Sequence, residues 1–570
     1  MHLKKYNRWV NMHMEDETLT RELQELQGKE GEIKERFAAE LSFGTAGLRG
    51  ILGVGTNRMN IYTVAKATTG LAMYILQQKG PHTVAIAYDS RHKSEMFAKI
   101  SAEVLAAHGI KVYLYKTLMP TPMLSFAVRH LKCCAGIMVT ASHNPAEYNG
   151  YKVYGADGCQ IISTAADTVQ NYIQGTDVFD DVKRIPFNDA LEASTVEYIS
   201  TAVEDVYYEQ VKKQSVKPGI HKETELKVVY TPLNGAGKVP VCKVLGSMGL
   251  QSITLVEEQA EPNGNFPTCR YPNPETAQAM ELGIAYCEKT DADLLLATDP
   301  DADRVGIAAK TENGYELLTG NEVGVLLTEY LAKAKTKAGV LPKNSVLIKS
   351  VVTTNLADAV AADYGIETIN VLTGFKYIGE QILLLENKKQ EERFFFGFEE
   401  SYGYLSGTYV RDKDAVVACM LICEMAAFYK TQGISLKKQL DAIYNKYGYY
   451  FHKVDSYTFE GLTGMAKMQS IMQELRSTVF SEFGGYTVTS VEDYIEGTKT
   501  NIKTGIVAPT NLPQADVLIY NLEGNAQVIV RPSGTEPKIK VYFTTRAKTQ
   551  LLAQAQYEKL AKVMAKLMEV

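Results

Sequence analysis

The sequence predicts an α/β protein with three similar mixed-sheet units, followed by a C-terminal α+β domain. Short apolar runs alternate with helical stretches, which is typical of parallel or mixed sheets joined by crossover helices. This alternation occurs in three successive groups, although no repeat is visible at the level of single residues. The chain has 570 residues, which is too long for one hydrophobic core.

Each group contributes three predicted strands. They are Thr83–Asp89, Lys111–Lys116 and Ala135–Val139, then Leu226–Thr231, Ser252–Val256 and Asp293–Thr298, and finally Ser345–Val352, Glu367–Leu372 and Arg393–Phe398. Helical patterns cover 15–41 and connecting stretches near 195–213 and 431–447. In the last part of the chain, Gln527–Val530 and Lys538–Thr544 flank a tight turn, and a helix over Lys548–Met568 follows. We therefore place domains at 1–205, 206–320, 321–447 and 448–570.

The composition is that of an ordinary globular protein, with 45% apolar and 22% charged residues. Net charge is -6 with acids and bases interspersed, which argues against a nucleic-acid or membrane partner. The N-terminus leads into a charged helix, and no apolar run approaches the roughly 20 residues that span a bilayer. The eight cysteines form no CxxC pair and are expected to be buried, reduced thiols. We expect a cytoplasmic protein.

A hydroxyl nucleophile lies where a predicted buried strand ends. Ser142 belongs to the segment Thr140-Ala141-Ser142-His143-Asn144-Pro145, which directly follows Ala135–Val139, so its hydroxyl is both rigidly held and exposed. A serine hydrolase is disfavoured because no GxSxG elbow surrounds Ser142. Ser142 either caps a helix or carries a phosphoryl group, which needs Mg²⁺ and positive charge for transfer. His143 is its neighbour in sequence and need not be its base.

A second predicted strand ends in an acidic loop. Asp299, Asp301 and Asp303 follow Leu294–Thr298, and three carboxylates this close repel one another unless a cation neutralises them. Alternate residues of an extended strand lie about 7 Å apart, so the loop must curl to share one ion. Mg²⁺ binds such oxygens and leaves positions for phosphate. An EF-hand is excluded because the required Gly and Glu are missing, and a solvated acidic turn is the alternative.

The segment Arg531-Pro532-Ser533-Gly534-Thr535 has the composition of a phosphate-binding loop. Gly534 lets backbone N–H groups approach an anion, the hydroxyls of Ser533 and Thr535 can donate to phosphate oxygens, and Arg531 offers a bidentate clamp. The alternative is a hairpin turn in which Pro and Gly serve only the backbone geometry. A Walker loop is excluded because its sequence pattern does not occur.

Other polar groups lie beside apolar runs. Glu399 and Ser401 follow a strongly apolar segment, and a carboxylate at a strand end can accept hydrogen bonds from sugar hydroxyls. Arg411 or Lys413 could meet a phosphate, or both could belong to an internal ion-pair cluster. Lys152, ten residues after the candidate nucleophile, could supply charge or a proton, or be a solvated surface residue.

These loops, in this order, resemble those of the α-D-phosphohexomutase superfamily. The resemblance extends from about residue 43 to residue 545, and within the superfamily it is strongest to the bacterial branch related to phosphoglucomutase-2 and phosphopentomutase. It implies three α/β domains and a C-terminal domain similar to the TATA-binding-protein fold, arranged around a central cleft.

The resemblance also implies roles for individual residues. Ser142 is expected to be the phosphoserine. The expected Mg²⁺ ligands are Asp299, Asp301, Asp303 and a phosphate oxygen on Ser142. Further catalytic residues are expected to be Lys152, Lys413 and Arg49. Substrate-binding residues are expected to be Thr45, His143, Thr373, Gly374, Lys376, Glu399, Ser401, Arg531, Ser533, Gly534 and Thr535.

The sequence departs from the pattern of the superfamily at some positions. Ala46 replaces a serine that is usual there, and Pro532 replaces a small or branched apolar residue. Tyr402-Gly403-Tyr404 follows Ser401, where bacterial phosphomannomutase/phosphoglucomutases have Gly-His. This difference makes a mannose substrate less expected and leaves part of the acid/base assignment open.

The implied activity is the reversible interconversion of glucose 1-phosphate and glucose 6-phosphate through a phosphoserine enzyme. Glucose 1,6-bisphosphate is the implied intermediate and activator, and sugar phosphates are the expected partners. The same chemistry on mannose or pentose phosphates is the nearest alternative. A phosphatase and a non-catalytic sugar-phosphate sensor are two others. No oligomeric state is predicted.

Overall fold

The computed structural model describes residues 2–44, 47–459, 464–533 and 538–569. Over these residues the chain forms three α/β domains and a C-terminal domain built on an antiparallel sheet, as predicted. None of the helices in these ranges is long and apolar enough to cross a membrane.

The first domain has a mixed sheet in the order β1-β5-β4-β2-β3-β6. Its strands are β1 (Leu48–Ile51), β2 (Thr83–Tyr88), β3 (Lys111–Leu114), β4 (Ala135–Val139), β5 (Tyr148–Gly155) and β6 (Val196–Tyr198). Its helices are α1 (His2–Val10), α2 (Glu17–Glu25), α3 (Glu30–Phe37), α4 (Ile61–Leu76), α5 (Ser94–Ala107), α6 (Thr121–His130), α7 (Ser163–Gly175) and α8 (Phe187–Glu192). Because β2 and β4 are parallel, the loops that follow them leave the same edge of the sheet.

The second domain follows the connecting helix α9 (Thr201–Lys212) and has the strand order β11-β10-β9-β7-β8. Its strands are β7 (Val228–Thr231), β8 (Ile253–Leu255), β9 (Leu294–Thr298), β10 (Val305–Thr311) and β11 (Gly314–Leu318). Its helices are α10 (Lys238–Ser247), α11 (Glu257–Ala260) and α12 (Ala277–Thr290). β10 is antiparallel to β9, so the acidic loop is a tight reversal between two buried strands.

The third domain has the strand order β13-β12-β14-β15. Its strands are β12 (Val346–Ser350), β13 (Glu367–Val371), β14 (Phe394–Glu399) and β15 (Gly403–Leu405). Its helices are α13 (Gly320–Ala338), α14 (Leu356–Asp363), α15 (Phe375–Asn387), α16 (Ala415–Lys430) and α17 (Leu436–Tyr447). α16 is apolar on nearly every side and is almost entirely buried, as expected of a helix surrounded by other elements.

The C-terminal domain has an antiparallel sheet in the order β16-β23-β22-β21-β18-β19-β20, with β17 beside β18. Its strands are β16 (Tyr449–Thr458), β17 (Glu482–Phe483), β18 (Tyr486–Asp493), β19 (Thr498–Asn501), β20 (Val507–Pro509), β21 (Leu518–Leu522), β22 (Gln527–Pro532) and β23 (Lys538–Ala547). Its helices are α18 (Gly464–Ser477) and α19 (Gln550–Met568).

The hydrophobic cores separate the C-terminal domain from the rest. One continuous cluster of buried side chains joins the second and third domains to part of the first. The C-terminal domain has its own cluster. It contacts the third domain through a small apolar patch in which Val352 and Leu372 lie with Tyr494, Val517 and Ile519. Arg531 and Ser533, which are predicted to bind phosphate, thus belong to a domain with a core largely of its own.

Two helical predictions are partly wrong. β6 lies within the stretch near 195–213, where a helix was expected. The stretch 15–41 forms two helices, α2 and α3, with a break between them. The break contains Gly28, whose φ of 81° is in the left-handed region that interrupts helices.

Candidate active site

The loop after β4 directs Ser142 at the second domain. Ser142 is buried, and its φ of 52° is in a region that serine rarely adopts. Its backbone N donates to Thr140 Oγ1 at 2.8 Å, and Thr140 Oγ1 donates to Asp89 Oδ2 at 2.6 Å. The Ser142 hydroxyl donates to Asp299 Oδ2 at 2.8 Å. Nδ1 of His143 lies 3.2 Å from the same hydroxyl oxygen.

The acidic loop between β9 and β10 curls, so that its carboxylates converge. Asp299 Oδ1 accepts hydrogen bonds from the backbone N of Asp303 at 3.1 Å and of Arg304 at 3.0 Å. Asp299, Asp301 and Asp303 are all buried, and each offers an oxygen within 4.8 Å of the others. The curl brings together side chains that an extended strand would keep apart.

The chemistry of this cluster fits a divalent cation. Within the described part of the chain, Asp301 Oδ1 and Asp303 Oδ1 have no hydrogen-bond partner, although both are buried. Burial and the charges of Asp301 and Asp303 raise the pKa of Asp299 well above its usual value, which indicates too little positive charge around the group. Three buried carboxylates, of which Asp301 and Asp303 each have one oxygen without a partner among the described residues, are suitable ligands for a hard cation, so the loop could hold a metal ion.

Two buried lysines flank the acidic cluster. Lys152, on β5, places Nζ 2.9 Å from Asp301 Oδ2 and 3.8 Å from Asp303 Oδ2. Lys413, from the third domain, places Nζ 3.2 Å from Asp303 Oδ2. Burial alone would lower the pKa of Lys413, but the charges of Asp303 and its neighbour Asp412 raise that pKa above its usual value. Lys413 is therefore positioned as a cation, and Lys152 contacts the same acidic cluster.

A cavity of about 390 Å³ adjoins this cluster and is lined by all four domains. Its lining includes Gln160 from the first domain, Arg304 from the second, Thr373, Gly374, Lys376, Glu399, Ser401 and Lys413 from the third, and Arg531 from the C-terminal domain. Glu399 Oε1 accepts a hydrogen bond from the backbone N of Gly374 at 2.7 Å. The buried Thr373 hydroxyl has no hydrogen-bond partner among the described residues. The cavity thus offers cationic groups, a buried carboxylate and a free hydroxyl.

The other predicted site residues lie as follows. Arg49 is exposed on β1 and donates to Asn144 Oδ1 at 3.2 Å, at the edge of the Ser142 loop. The backbone N of Ser533 donates to Lys538 O at 2.7 Å. Burial, Arg304 and Arg49 together lower the pKa of His143 well below its usual value, so its imidazole is neutral. The predicted residues outside the described ranges are Thr45, Gly534 and Thr535.

Arg411 does not line the cavity, so the structure does not support its alternative assignment to a phosphate. Its guanidinium is fully buried and donates to Glu386 Oε2 at 2.5 Å. It also donates to the carbonyl oxygens of Thr408 and Val410. Arg411 therefore belongs to the internal ion-pair alternative, whereas Lys413 of the same segment reaches the acidic cluster.

Sequence reasoning missed several residues at the site. Asp89 and Arg91 follow β2 and contact the loop that carries Ser142. Gln160 and Asp412 line the cavity and are hydrogen-bonded to each other at 3.3 Å. Thr121 Oγ1 donates to Asp301 Oδ2 at 2.9 Å. Each of these residues lacks a recognisable sequence motif of its own. Only Asp89 and Arg91 had a signal in the sequence, because the predicted strands β2 and β4 end at the same edge of the sheet.

Family models match most of the chain. They are described as phosphoglucomutase/phosphomannomutase alpha/beta/alpha domain I, domain II, domain III and C-terminal domain. The matched residues are 40–178, 205–314, 319–447 and 514–561.

Curated relatives are similar over nearly their whole length. A phosphoglucomutase of Staphylococcus epidermidis is 40% identical over 542 residues, which cover 94% of this chain and 96% of that protein. A phosphoglucomutase of Staphylococcus aureus is 38% identical and covers 91% of this chain and 92% of its own.

Solved structures share the fold. A putative phosphomannomutase from Thermus thermophilus superposes with a TM-score of 0.68 at 24% identity, covering 93% of this chain and 100% of that one. A phosphoglucomutase from Paramecium, in an open form, gives a TM-score of 0.68 at 16% identity, covering 93% and 95%. With the matched family models and the identity to the staphylococcal proteins, this shows that the chain belongs to the phosphoglucomutase/phosphomannomutase family of the α-D-phosphohexomutase superfamily.

Proposed function

We propose that the protein reversibly interconverts glucose 1-phosphate and glucose 6-phosphate, with Ser142 carrying the phosphoryl group and glucose 1,6-bisphosphate as the intermediate. The supporting observation is the Ser142 hydroxyl, 2.8 Å from Asp299 Oδ2, beside a cavity lined by all four domains. Glucose is chosen as the sugar because the similar staphylococcal proteins are named phosphoglucomutases.

The transfer proceeds in two steps. The free hydroxyl oxygen of the sugar forms a bond to phosphorus while the bond between phosphorus and Ser142 Oγ breaks. The sugar hydroxyl loses its proton, and Ser142 Oγ regains one. The bisphosphate then turns over in the cavity, and its other phosphoryl group is returned to Ser142. Lys152 and Lys413 flank the place of transfer and supply fixed positive charge or hold the proton.

We assign Asp299, Asp301 and Asp303 as ligands of Mg²⁺, together with a phosphate oxygen on Ser142. When bound, Mg²⁺ would supply charge that offsets the negative charge of the phosphoryl group in transfer. The unpartnered carboxylate oxygens of Asp301 and Asp303 support this assignment.

The rest of the cavity is assigned to the sugar and its second phosphate. Arg531 and Ser533, with Gly534 and Thr535 outside the described ranges, would hold the phosphate that is not transferred. Glu399 and Ser401 would hold sugar hydroxyls. The unpartnered Thr373 hydroxyl and Lys376 lie on the same wall, where they can contact either end of the substrate. Arg49 and His143 lie beside the phosphoserine loop, and Thr45 is proposed to join them. The eight cysteines are free thiols, six of them buried, which agrees with a cytoplasmic location.

Turnover measured across sugar phosphates tests the proposal. We expect glucose 1-phosphate to be converted faster than mannose, ribose or deoxyribose 1-phosphate, with no release of free phosphate. Ser142→Ala should abolish turnover. Ser101→Ala, which removes another buried hydroxyl that is bonded to Phe97 O and Thr68 Oγ1, is the matched control and should retain it. Full activity in Ser142→Ala would overturn the role of Ser142. Stoichiometric phosphate release would indicate a phosphatase, and faster conversion of another sugar would overturn the glucose assignment.

A further inference from the structure

The side chain of Lys413 is confined along its whole length. Its stem lies against Gly403, where an added Cβ would be 2.1 Å from Lys413 Cδ. Its Nζ lies 3.1 Å from Asp412 Oδ1 and 5.6 Å from the centre of the Phe375 ring. A lysine normally has many rotamers, so this confinement means that the surrounding residues determine where its charge is placed.

Asp412 is the main contact of that ammonium group within the third domain. Its Oδ1 accepts hydrogen bonds from the backbone N of Lys413 at 2.8 Å and from Lys413 Nζ at 3.1 Å. Its Oδ2 accepts one from the hydroxyl of Tyr154 at 2.8 Å and one from Gln160 Nε2 at 3.3 Å. Asp412 is 2% and Tyr154 0% exposed, so water does not take the place of these donors.

Tyr154 connects this group to the first domain. It lies on β5 two residues after Lys152, and side chains two apart on a strand point to the same face. Lys152 contacts Asp301, and Tyr154 contacts Asp412. One strand of the first domain therefore contacts the acidic loop directly through one lysine and reaches the other lysine through Asp412.

We propose that Tyr154 and Asp412 are positioning residues that hold the Lys413 ammonium group in place for phosphoryl transfer. The proposal rests on the proposed function and adds two residues to it. Without the Tyr154 hydroxyl, a buried carboxylate oxygen loses its strongest neutral donor, and the carboxylate and the ammonium bonded to it can shift. A displacement of about 1 Å can reduce a rate about 100-fold, so kcat should fall while KM changes little.

The first test compares Tyr154→Phe with a matched control, Tyr207→Phe. Tyr207 is also fully buried, and its hydroxyl lies 3.0 Å from both oxygens of Asp414. Among the described residues, no hydrogen bond joins its hydroxyl to Lys413. Each variant removes one hydroxyl from one aspartate, so both should lower the unfolding midpoint similarly. We expect Tyr154→Phe to reduce kcat about 10- to 100-fold, and Tyr207→Phe to leave it within about twofold.

The second test asks whether the effect passes through the lysine. Tyr154→Phe is combined with Lys413→Met, and the loss of phosphate from Ser142 is measured in single turnovers so that slow rates are accessible. If Tyr154 acts through Lys413, its substitution should have no further effect when the ammonium group is absent. Asp412→Asn, which keeps the shape of the side chain, should behave in the same way and serves if Tyr154→Phe folds poorly.

The outcomes separate this inference from the proposed function. Wild-type protein without mutase turnover on any sugar phosphate refutes the function before the variants are compared. Active wild-type protein with an unchanged kcat in Tyr154→Phe overturns the inference alone. An equal loss of rate with and without Lys413 would also overturn it, because the hydroxyl would then act independently of the lysine.

Discussion

Arg91 lies beneath the loop that carries Ser142 and determines its shape. Its guanidinium is fully buried and donates to the carbonyl oxygens of Ser142, Asn144 and Pro145. Its Nε lies 3.4 Å from Asp89 Oδ2, which balances the charge. A serine with positive φ persists only where its surroundings stabilise that conformation. One arginine thus contributes to the geometry of the nucleophile without lining the cavity.

Arg91→Met should strongly destabilise the protein and reduce its turnover. The substitution leaves Asp89 buried without its cation and the loop carbonyls without donors, which costs about 3–5 kcal/mol. Thermal unfolding and mutase turnover would be measured together. Arg58→Met is a suitable control, because Arg58 pairs with Glu35, whose side chain is 55% exposed, so its loss should cost much less. Equal midpoints for the two variants would contradict this role of Arg91.

Glu400 should make stability depend on pH in a defined direction. Burial and the charge of Glu399 raise its pKa from 4.5 to about 7. Between these values the folded state holds a proton that the unfolded state does not, so stability falls as pH rises through this window, by roughly 1 kcal/mol per pH unit. Glu400→Gln should remove this dependence. Urea unfolding of both proteins from about pH 5 to pH 7.5 checks it, and parallel curves would contradict the raised pKa.

The buried helix α16 begins directly after the segment that carries Lys413. Asp414 is its N-cap and accepts hydrogen bonds from the backbone N of Val416 at 2.8 Å and of Val417 at 3.1 Å. The hydroxyls of Tyr207 and Tyr409 also donate to it, at 3.0 and 2.6 Å. One carboxylate therefore caps the helix and satisfies two tyrosines from other segments.

Asp414→Ala should lower the unfolding midpoint more than an ordinary cap substitution. Loss of the cap costs about 1 kcal/mol, and two tyrosine hydroxyls left without their acceptor cost about 1 kcal/mol or more each. Asp414→Asn retains one acceptor oxygen, so its unfolding midpoint should lie between those of Asp414→Ala and the wild-type protein. Calorimetry measures the midpoints. A midpoint for Asp414→Ala equal to that of Asp414→Asn would mean that the tyrosines find other acceptors.

Two of the strands predicted from the sequence are buried on both faces. Ala135–Val139 and Leu294–Thr298 are continuous apolar runs, and both are confirmed. β5 was missed because glycine and polar residues interrupt its apolar pattern, and the partners of Lys152 and Tyr154 lie on other domains. β10 was also missed. It pairs with β9 through the chain reversal at the acidic loop. Sequence patterns report local burial, and these strands depend on tertiary neighbours.

At the scale of the molecule, the cavity joins segments that lie far apart in the chain. Ser142, the acidic loop, Glu399 and Arg531 could be proposed from motifs because each has a characteristic local sequence. Their roles remain proposals. Glu399 and Arg531 line the cavity, and Ser142 contacts the acidic loop, which adjoins the cavity at Arg304. The contacts that fix the positions, such as those of Arg91 and Tyr154, have no local signature, because each joins segments that lie far apart in the chain.

Adding Mg²⁺ should stabilise the whole protein through the acidic loop. A ligand that binds only the folded state at 100 times its dissociation constant adds about 2.7 kcal/mol. The unfolding midpoint should therefore rise with Mg²⁺ concentration. Asp301→Asn combined with Asp303→Asn should show no such rise, whereas Asp291→Asn with Asp293→Asn, which changes exposed or half-buried carboxylates of the same domain, should. If Mg²⁺ raised the unfolding midpoint of both double variants equally, the cation would bind outside the acidic loop.

The mass of the intact chain tests the central claim most directly. After incubation with glucose 1,6-bisphosphate, we predict a chain heavier by one phosphoryl group, with fragmentation placing that group on Ser142. Mixing with glucose 6-phosphate should remove it at a rate no slower than steady-state turnover. An unphosphorylated chain that turns over at full rate, or a phosphate that exchanges from another residue, would contradict the account.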